Sequence, residues 1–362
     1  MIRLFDDQFN LLCEIDDFES LVYVRKHYGA GEFSLVLDPH ARHASLFKNK
    51  DYFLVVDKEP RKSGIIRFFE QTDEEKSELE IRGFTLEFLL NRRLVIPPEA
   101  QAYDVVSGSA ETAIKHYVAN NVTAPADPAR AFSNFTMAAD QNRGVPAKKY
   151  ARYDELLSVI SEIGIQSKMG FEVLFDLESK SLIFDVVPGE NHAVGSASPV
   201  IFSMEYNNLE SQTFTVDASK EKTTAYVGGG GEETSRPVIV VGGSAAGISR
   251  IETFVNASSA EVADLSDIGT QELVSMNLIE TIAGVALDSM GPFTYGIDYA
   301  LGDDVTVVNS SNGEAVTVQI VEVKETIEED GHEIELTFGQ GQPLLSDVLK
   351  NKFKQYDKLL RR

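Results

Sequence analysis

From Ser20 to Leu90 the pattern is strand-like, with apolar side chains at alternate positions in two runs. Phe33, Leu35 and Leu37 are spaced by Ser34 and Val36, and Leu79, Ile81 and Gly83 by Glu80 and Arg82. Successive strand side chains point to opposite faces, so this period of two predicts a β domain with one buried face. The acidic run Asp73-Glu74-Glu75-Lys76 lies between strand candidates at Ile65 to Gln71 and Glu78 to Phe84 and reads as a solvated hairpin turn. Thr85 to Leu94 follows with Leu86, Leu89 and Leu90 at helical spacing, and Pro97-Pro98 cannot continue a helix, which sets a domain boundary there.

Beyond that boundary the period alternates between helix and strand. Ala110, Ile114, Tyr117 and Val118 predict a helix capped by Ser109, and Leu156, Ile160 and Ile163 predict another; the stretch from Val122 to Tyr150 between them reads as a long polar loop. Phe171, Val173, Phe175 and Leu177 alternate, a turn falls at Glu178 to Lys180, and Leu182, Phe184 and Val186 alternate again, which is a β-hairpin closed off by Pro188-Gly189. Strand character returns at Val200, Phe202 and Met204, at Phe214 to Val216 and at Thr223 to Val227, and continues to residue 255. Val274, Leu278, Ile282 and Val285 predict a helix from Gly269 to Ala286. Turn signals at Asn312-Gly313 and Asp330-Gly331 join runs at Val305 to Val308, Val316 to Glu325 and Ile334 to Phe338 into a meander, with a phase switch at Ile320-Val321 that predicts a bulge. Leu345, Leu349, Phe353, Tyr356 and Leu360 predict a basic amphipathic C-terminal helix.

With 362 residues the chain is long enough for two to four domains, and its single cysteine, Cys13, has no partner for an internal disulfide or a thiolate metal site. The N-terminus lacks a secretory pattern and no stretch is apolar enough to span a membrane, which predicts synthesis in a reducing compartment and no membrane insertion by this chain. A formal net charge of −24 opposes binding to phosphates over the general surface; such acidity usually serves solubility, and otherwise fits a surface that must repel DNA.

The chemical motifs are weak. Val238 to Gly247 is a near miss to the dinucleotide-binding glycine fingerprint: Ser244 stands at the middle glycine, and Ile248 to Val255 reads as a strand where a helix must begin. Gly228 to Gly231 lacks the Lys-Ser/Thr ending of a phosphate-cradling loop. His40 and His43 lack a third ligand, and no serine sits in a nucleophile elbow. No catalytic, metal or cofactor site is expected.

Several spaced segments resemble the tail hub (tail-associated or baseplate hub) family of siphophages. They are Tyr28 to Leu35, Gly64 to Ile66 and Ile81 to Arg93 in the first half, and Gly247 to Val255, Tyr295 to Val305 and Thr337 to Gly339 in the second. The resemblance implies a β-rich, multidomain α+β fold: a tube-type β-barrel over residues 1–97, an α+β domain over 98–195, a second tube-type barrel from 196–230 and 291–340, an inserted α+β domain over 231–290, and the C-terminal helix over 341–362. It implies a non-enzymatic virion protein of a phage or prophage, assembled in the bacterial cytoplasm. Its homotrimer would close the distal end of the tail tube and let DNA pass without specific binding. Implied partners are the tail tube or distal tail protein, the tape measure protein and a tail fibre or spike. The residues expected to carry the structural motif are Gly31, Phe33, Gly83 and Leu86 in the first barrel and Tyr299, Leu301, Gly302 and Asp303 in the second; Gly302-Asp303 suits a turn into the Val305 strand. A carbohydrate-binding adhesin and, less favoured, a nucleotide-dependent enzyme using the Gly242–Gly247 loop are the alternatives.

Overall fold

A computed structural model describes residues 1–73, 77–258, 260–276, 279–286, 292–308, 313, 315–329 and 331–339. The turn residues Glu74 to Lys76, Asn312 and Asp330 and the C-terminal helix expected over 341–362 lie outside the described residues.

The N-terminal unit is built from strands Ile2–Phe5, Leu11–Ile15, Ser20–Lys26, Glu32–Leu37, Phe53–Val56, Ser63–Asp73 and Ser77–Thr85. The alternation works as expected: Leu35, Leu37, Leu79 and Ile81 are buried in one core with Ile2, Leu4, Leu21, Tyr23 and Phe47. Burial of each such side chain contributes about 1.5–3 kcal/mol. Tyr23 enters this core without leaving a polar atom unpaired, because its hydroxyl donates to the Ser63 carbonyl at 2.8 Å. Ser63–Asp73 and Ser77–Thr85 pair through Asp73 and Ser77, so the expected hairpin is present. The helix expected after Thr85 is a tighter 3-10 turn, Leu86–Arg92, with Leu86, Leu89 and Leu90 buried.

The middle unit packs helices Ala110–Val118 and Leu156–Ser167 beside the hairpin Met169–Asp176 and Ser181–Pro188. Ser109 caps the first helix, its hydroxyl accepting from the Thr112 amide at 3.2 Å. The long polar loop expected over Val122 to Tyr150 is corrected by the structure. Pro146–Ala151 pairs antiparallel with Asp104–Ser109, and Phe135–Met137 lies parallel to Ser181–Pro188. Phe135–Met137 is too short to show an alternation, and Pro146–Ala151 has none, with Lys148 and Lys149 adjacent at its centre.

In the second half, strands Leu209–Asp217, Ile279–Ala286, Gly331–Gly339, Ala315–Glu328 and Asp304–Val308 form one antiparallel succession, with Ile201–Phe202 parallel to the last. Met204 opens a 3-10 turn rather than continuing a strand. The bulge is where the phase switch put it, between Ile320 and Glu322. The helix expected from Gly269 to Ala286 is corrected: the helix is Leu265–Ser275, and Ile279–Ala286 is a strand held between two neighbours. Apolar residues three and four apart satisfied a helical template, but the segment is rich in β-branched residues and contains Gly284, and ladders on both sides override the local pattern. Thr224–Gly228, expected in the second barrel, instead lies between Val238–Gly242 and Glu252–Asn256 in a separate three-stranded sheet. The helix Leu265–Ser275 covers that sheet through a small core of Ala225, Val227, Ala257 and Leu265.

The two outer β units are one sheet. Ser20–Lys26 pairs antiparallel with Ala315–Glu328, from Ser20 opposite Glu328 to Lys26 opposite Glu322. A 13-stranded sheet results, open at both ends, with no closed barrel among the described residues.

Candidate assembly surface

In the first half the motif residues make room for one another. A Cβ on Gly31 would lie 1.8 Å from the Val24 carbonyl oxygen, and the Gly31 amide donates to Thr85 Oγ1 at 2.8 Å. The buried Phe33 ring occupies the space that side chains at Gly64 and Gly83 would fill: a Cβ there would stand 2.7 Å and 2.5 Å from its ring. Leu86 is placed differently. It packs with Leu89, Leu90, Ile114 and Ile160 in the core shared with the middle unit, not with Phe33.

The second-half residues converge on a junction of three units. Tyr299 is buried edge-on against Phe202, their ring centres 5.2 Å apart, and Leu301 is half-buried beside them. Gly302 adopts φ +102°, and a Cβ there would lie 2.3 Å from His27 Cε1; a Cβ on Gly170, from the middle unit, would lie 2.2 Å from the same atom. The imidazole of His27, at the end of the strand that joins the halves, is thus clamped between two glycines. A Cβ on Gly189 would stand 1.7 Å from the Gly302 carbonyl oxygen, so the linker that leaves the strand Ser181–Pro188 also crosses at backbone contact. His27 Nε2 is buried without a hydrogen-bond partner, and burial first, then Arg25, lowers its pKa to about 4. Asp303 fastens the linker: its carboxylate accepts from the Glu190 amide at 2.7 Å and from the Ala300 amide at 2.7 Å. Gln319 bridges the units by donating to the Gly302 carbonyl at 2.7 Å while accepting from the Tyr28 hydroxyl. His27 did not stand out in the sequence; its only signal was its place beside Tyr28.

The shared sheet presents opposite its cores a face on which charged side chains mix with Val22, Val24, Phe68 and Phe84. Register places Glu32, Glu70, Glu78, Glu80, Glu322, Glu328, Glu333 and Glu335 on it, against Lys26, Arg82 and Lys324. Each base is taken up by a neighbouring carboxylate: Lys26 with Glu322 at 3.8 Å, Lys324 with Glu335 at 2.5 Å, and Arg82 Nε with Glu80 at 2.6 Å. The face therefore carries a net negative charge across both β units.

The Gly242–Gly247 loop leads into the single 3-10 turn Gly247–Ser249 and then the strand Glu252–Asn256, so no helix N-terminus faces a phosphate position. No cluster of three metal-ligating residues occurs among the described residues.

This mostly β fold, with its sheet across the two halves, is one shared with solved prophage tail proteins. It superposes on a prophage tail protein gp18 from Listeria monocytogenes (TM-score 0.52, 13% identity, covering 100% of this chain and 99% of that one). It also superposes on a tail protein from Neisseria meningitidis (0.56, 14%, 93% and 95%) and on the 43 kDa tail protein of prophage MuSo2 from Shewanella oneidensis (0.57, 10%, 93% and 97%). At such identities these likenesses establish the fold alone. The chain belongs to the family of Siphovirus ReqiPepy6 Gp37-like proteins, whose model matches residues 1–340. No curated protein matches it.

Proposed function

We propose that the chain is the hub of a phage tail tip, a non-enzymatic virion component whose homotrimer closes the distal end of the tail tube around a DNA channel. The observation that carries this reading is the single sheet that joins the two β units and turns one acidic polar face outward from both cores. In this reading each β unit is a tube-type domain, the first over residues 1–97. The second is built from the strands between Ile201 and Gly339, and the sheet around Thr224–Gly228 is its insertion. The eight strands from Leu209–Asp217 to Ser63–Asp73 along the sheet form one third of the channel wall.

The size supports passage of a duplex. Three chains would contribute about 24 strands, and at about 4.8 Å each they give a circumference of about 115 Å and a backbone diameter of about 37 Å, larger once the strands tilt. After side chains of about 5 Å on each wall, the opening is wider than B-form DNA. Carboxylates on that wall repel phosphates only within about 8 Å at physiological salt, which prevents sticking without slowing transit. The tail tube or distal tail protein and the tape measure protein would meet the ring on one side, and a fibre or spike on the other.

Light scattering after size exclusion, over a concentration series, tests the reading. A mass near three times 39.9 kDa with a hollow particle in negative stain supports it. A compact dimer without a central opening overturns it.

A further inference from the structure

The three-stranded sheet around Thr224–Gly228 and the helix Leu265–Ser275 make a unit with its own core, Ala225, Val227, Ala257 and Leu265, none of which belongs to the larger cores. A narrow neck joins it to the second β unit: the chain enters after Asp217 and returns at Met276, where the Lys222 amide donates to the Met276 carbonyl at 3.0 Å. Its helix lies instead against the middle unit, beside Pro146–Ala151 and Leu156–Ser167. That contact is polar and incomplete. The Lys148 ammonium stands 2.6 Å from Asp264 and 3.6 Å from Asp267, and the Gln271 side-chain amide donates to the Lys148 carbonyl. Next to these bonds an open cleft of about 570 Å³ separates the two bodies, with Tyr103, Tyr150 and Ser158 contributed by the middle unit and Phe254, Asn256 and Gln271 by the smaller one. Small polar interfaces between units permit relative motion, since little apolar area returns to water when they part.

We infer that this small unit is a hinged flap, latched shut over the cleft by Lys148. The inference stands apart from the hub reading, because it concerns one chain and needs no ring. The latch is asymmetric. Asp264 precedes the first turn of Leu265–Ser275 and Asp267 lies in it, where unpaired backbone amides give the helix end a partial positive charge. That end repels an ammonium ion, and Lys148 is held there because two carboxylates intervene. Loss of Lys148 deletes an attraction but leaves both acids on a helix end that suits them. Loss of both acids turns the contact into a repulsion. The Lys148 side chain is partly exposed, so counter-ions reach the pair and salt weakens it. Opening breaks neither unit's core, needs rotation only at the neck, and widens the approach to Tyr103 and Tyr150.

Spin labels on Val105→Cys in the middle unit and Ile248→Cys in the flap, both exposed positions, report the separation of the two bodies by pulsed electron resonance. The labelled full chain is diluted with unlabelled chain so that one copy reports, and wild-type chain controls for the buried Cys13. The expected result is one short distance at about 50 mM salt and a second, longer one that grows towards about 1 M. At low salt Lys148→Gln should hold at least about fivefold more of the longer distance than the unsubstituted latch, and Asp264→Asn with Asp267→Asn more again, while Lys148→Arg keeps the short one. An unchanged distance in both charge-removing variants at every salt overturns the flap. The reverse order, with Lys148→Gln the more open, overturns the asymmetric latch. A longer distance accompanied by fast hydrogen exchange at the Ala225 and Val227 amides overturns the hinge, since it marks unfolding of the small unit and not its rotation.

Discussion

Gly170→Ala places one methyl group against the His27 imidazole and so measures how tightly the three units are locked. The added Cβ would lie 2.2 Å, 2.3 Å and 2.6 Å from Cε1, Nδ1 and Nε2 of His27, and the ring has little room to retreat because Gly302 crowds it as well. Overpacking of this kind costs about 1–3 kcal/mol. Gly302→Ala makes a similar clash at 2.3 Å but also forces alanine to φ +102°, which adds about 1–3 kcal/mol of backbone strain. The two variants therefore differ in what rescues them. His27→Ala removes the clash and should restore Gly170→Ala to the level of His27→Ala alone, whereas in Gly302→Ala the backbone strain persists. A multidomain chain need not unfold in one step, so the right readout is local hydrogen exchange. The informative amides are Phe171, bonded to the His27 carbonyl at 3.2 Å, and His27, bonded to the Val321 carbonyl at 3.0 Å. Exchange there should quicken by about 5- to 150-fold in Gly170→Ala, since each 1.4 kcal/mol is about tenfold. A change under about twofold, or a failure of His27→Ala to rescue Gly170→Ala alone, would refute the clamp.

The same histidine makes the junction acid-sensitive. Its folded pKa of about 4 is below the ordinary 6.5, so the unfolded chain takes up the proton first. Stability is full above pH 6.5 and falls as pH drops towards 4, by about 3 kcal/mol in all; wild type should lose this part of its pH dependence in His27→Ala, and equal melting profiles of the two chains from about pH 7 to 4 would contradict it. In the middle unit, burial pushes the Glu111 carboxyl up, but hydrogen bonds from Arg143 and Lys115 outweigh it and hold the group well below the carboxylate range. Glu111→Gln should cost about 2–3 kcal/mol by leaving two cations underpaired, with Asp185 still 2.9 Å from Lys115 to limit the loss; circular dichroism melts would show it, and an unchanged Tm would refute it. Reversing Glu70, Glu78, Glu328 and Glu333 to lysine should create DNA retention at about 50 mM salt that is lost by about 200 mM, whereas wild type retains none; gel shifts over a salt series read this, and retention by wild type would contradict a repelling wall.

The readable part of this protein was local. Alternation at Phe33 to Leu37 and Leu79 to Gly83, the hairpin after Phe171, the Ser109 cap and the bulge near Ile320 each depend on residues within one or two elements, and each is present. Family membership was also legible, because the matching segments are spread along the chain. Expectation and structure part where side-chain period does not discriminate between helix, strand and loop. Ile279–Ala286 fits helical spacing by sequence alone, and Pro146–Ala151 has no apolar alternation to announce a strand; each owes its conformation to a partner elsewhere in the chain.

The candidate surface divides in the same way. Glycine at positions 31, 83 and 302 stood out in the sequence, but the groups that require glycine there did not: a carbonyl of Val24, the ring of Phe33 and the imidazole of His27. Likewise the excess of acidic residues is plain from composition, yet their collection on one face depends on Ser20–Lys26 pairing with Ala315–Glu328. By itself the sequence determined which segments could become strands, where several turns and caps fall, and that the chain is acidic, because these follow from side-chain period and identity within a few residues. Only the tertiary structure decided that the two β units are one sheet, because strand pairing is a contact between distant segments whose backbone groups are chemically alike and carry no address in the sequence.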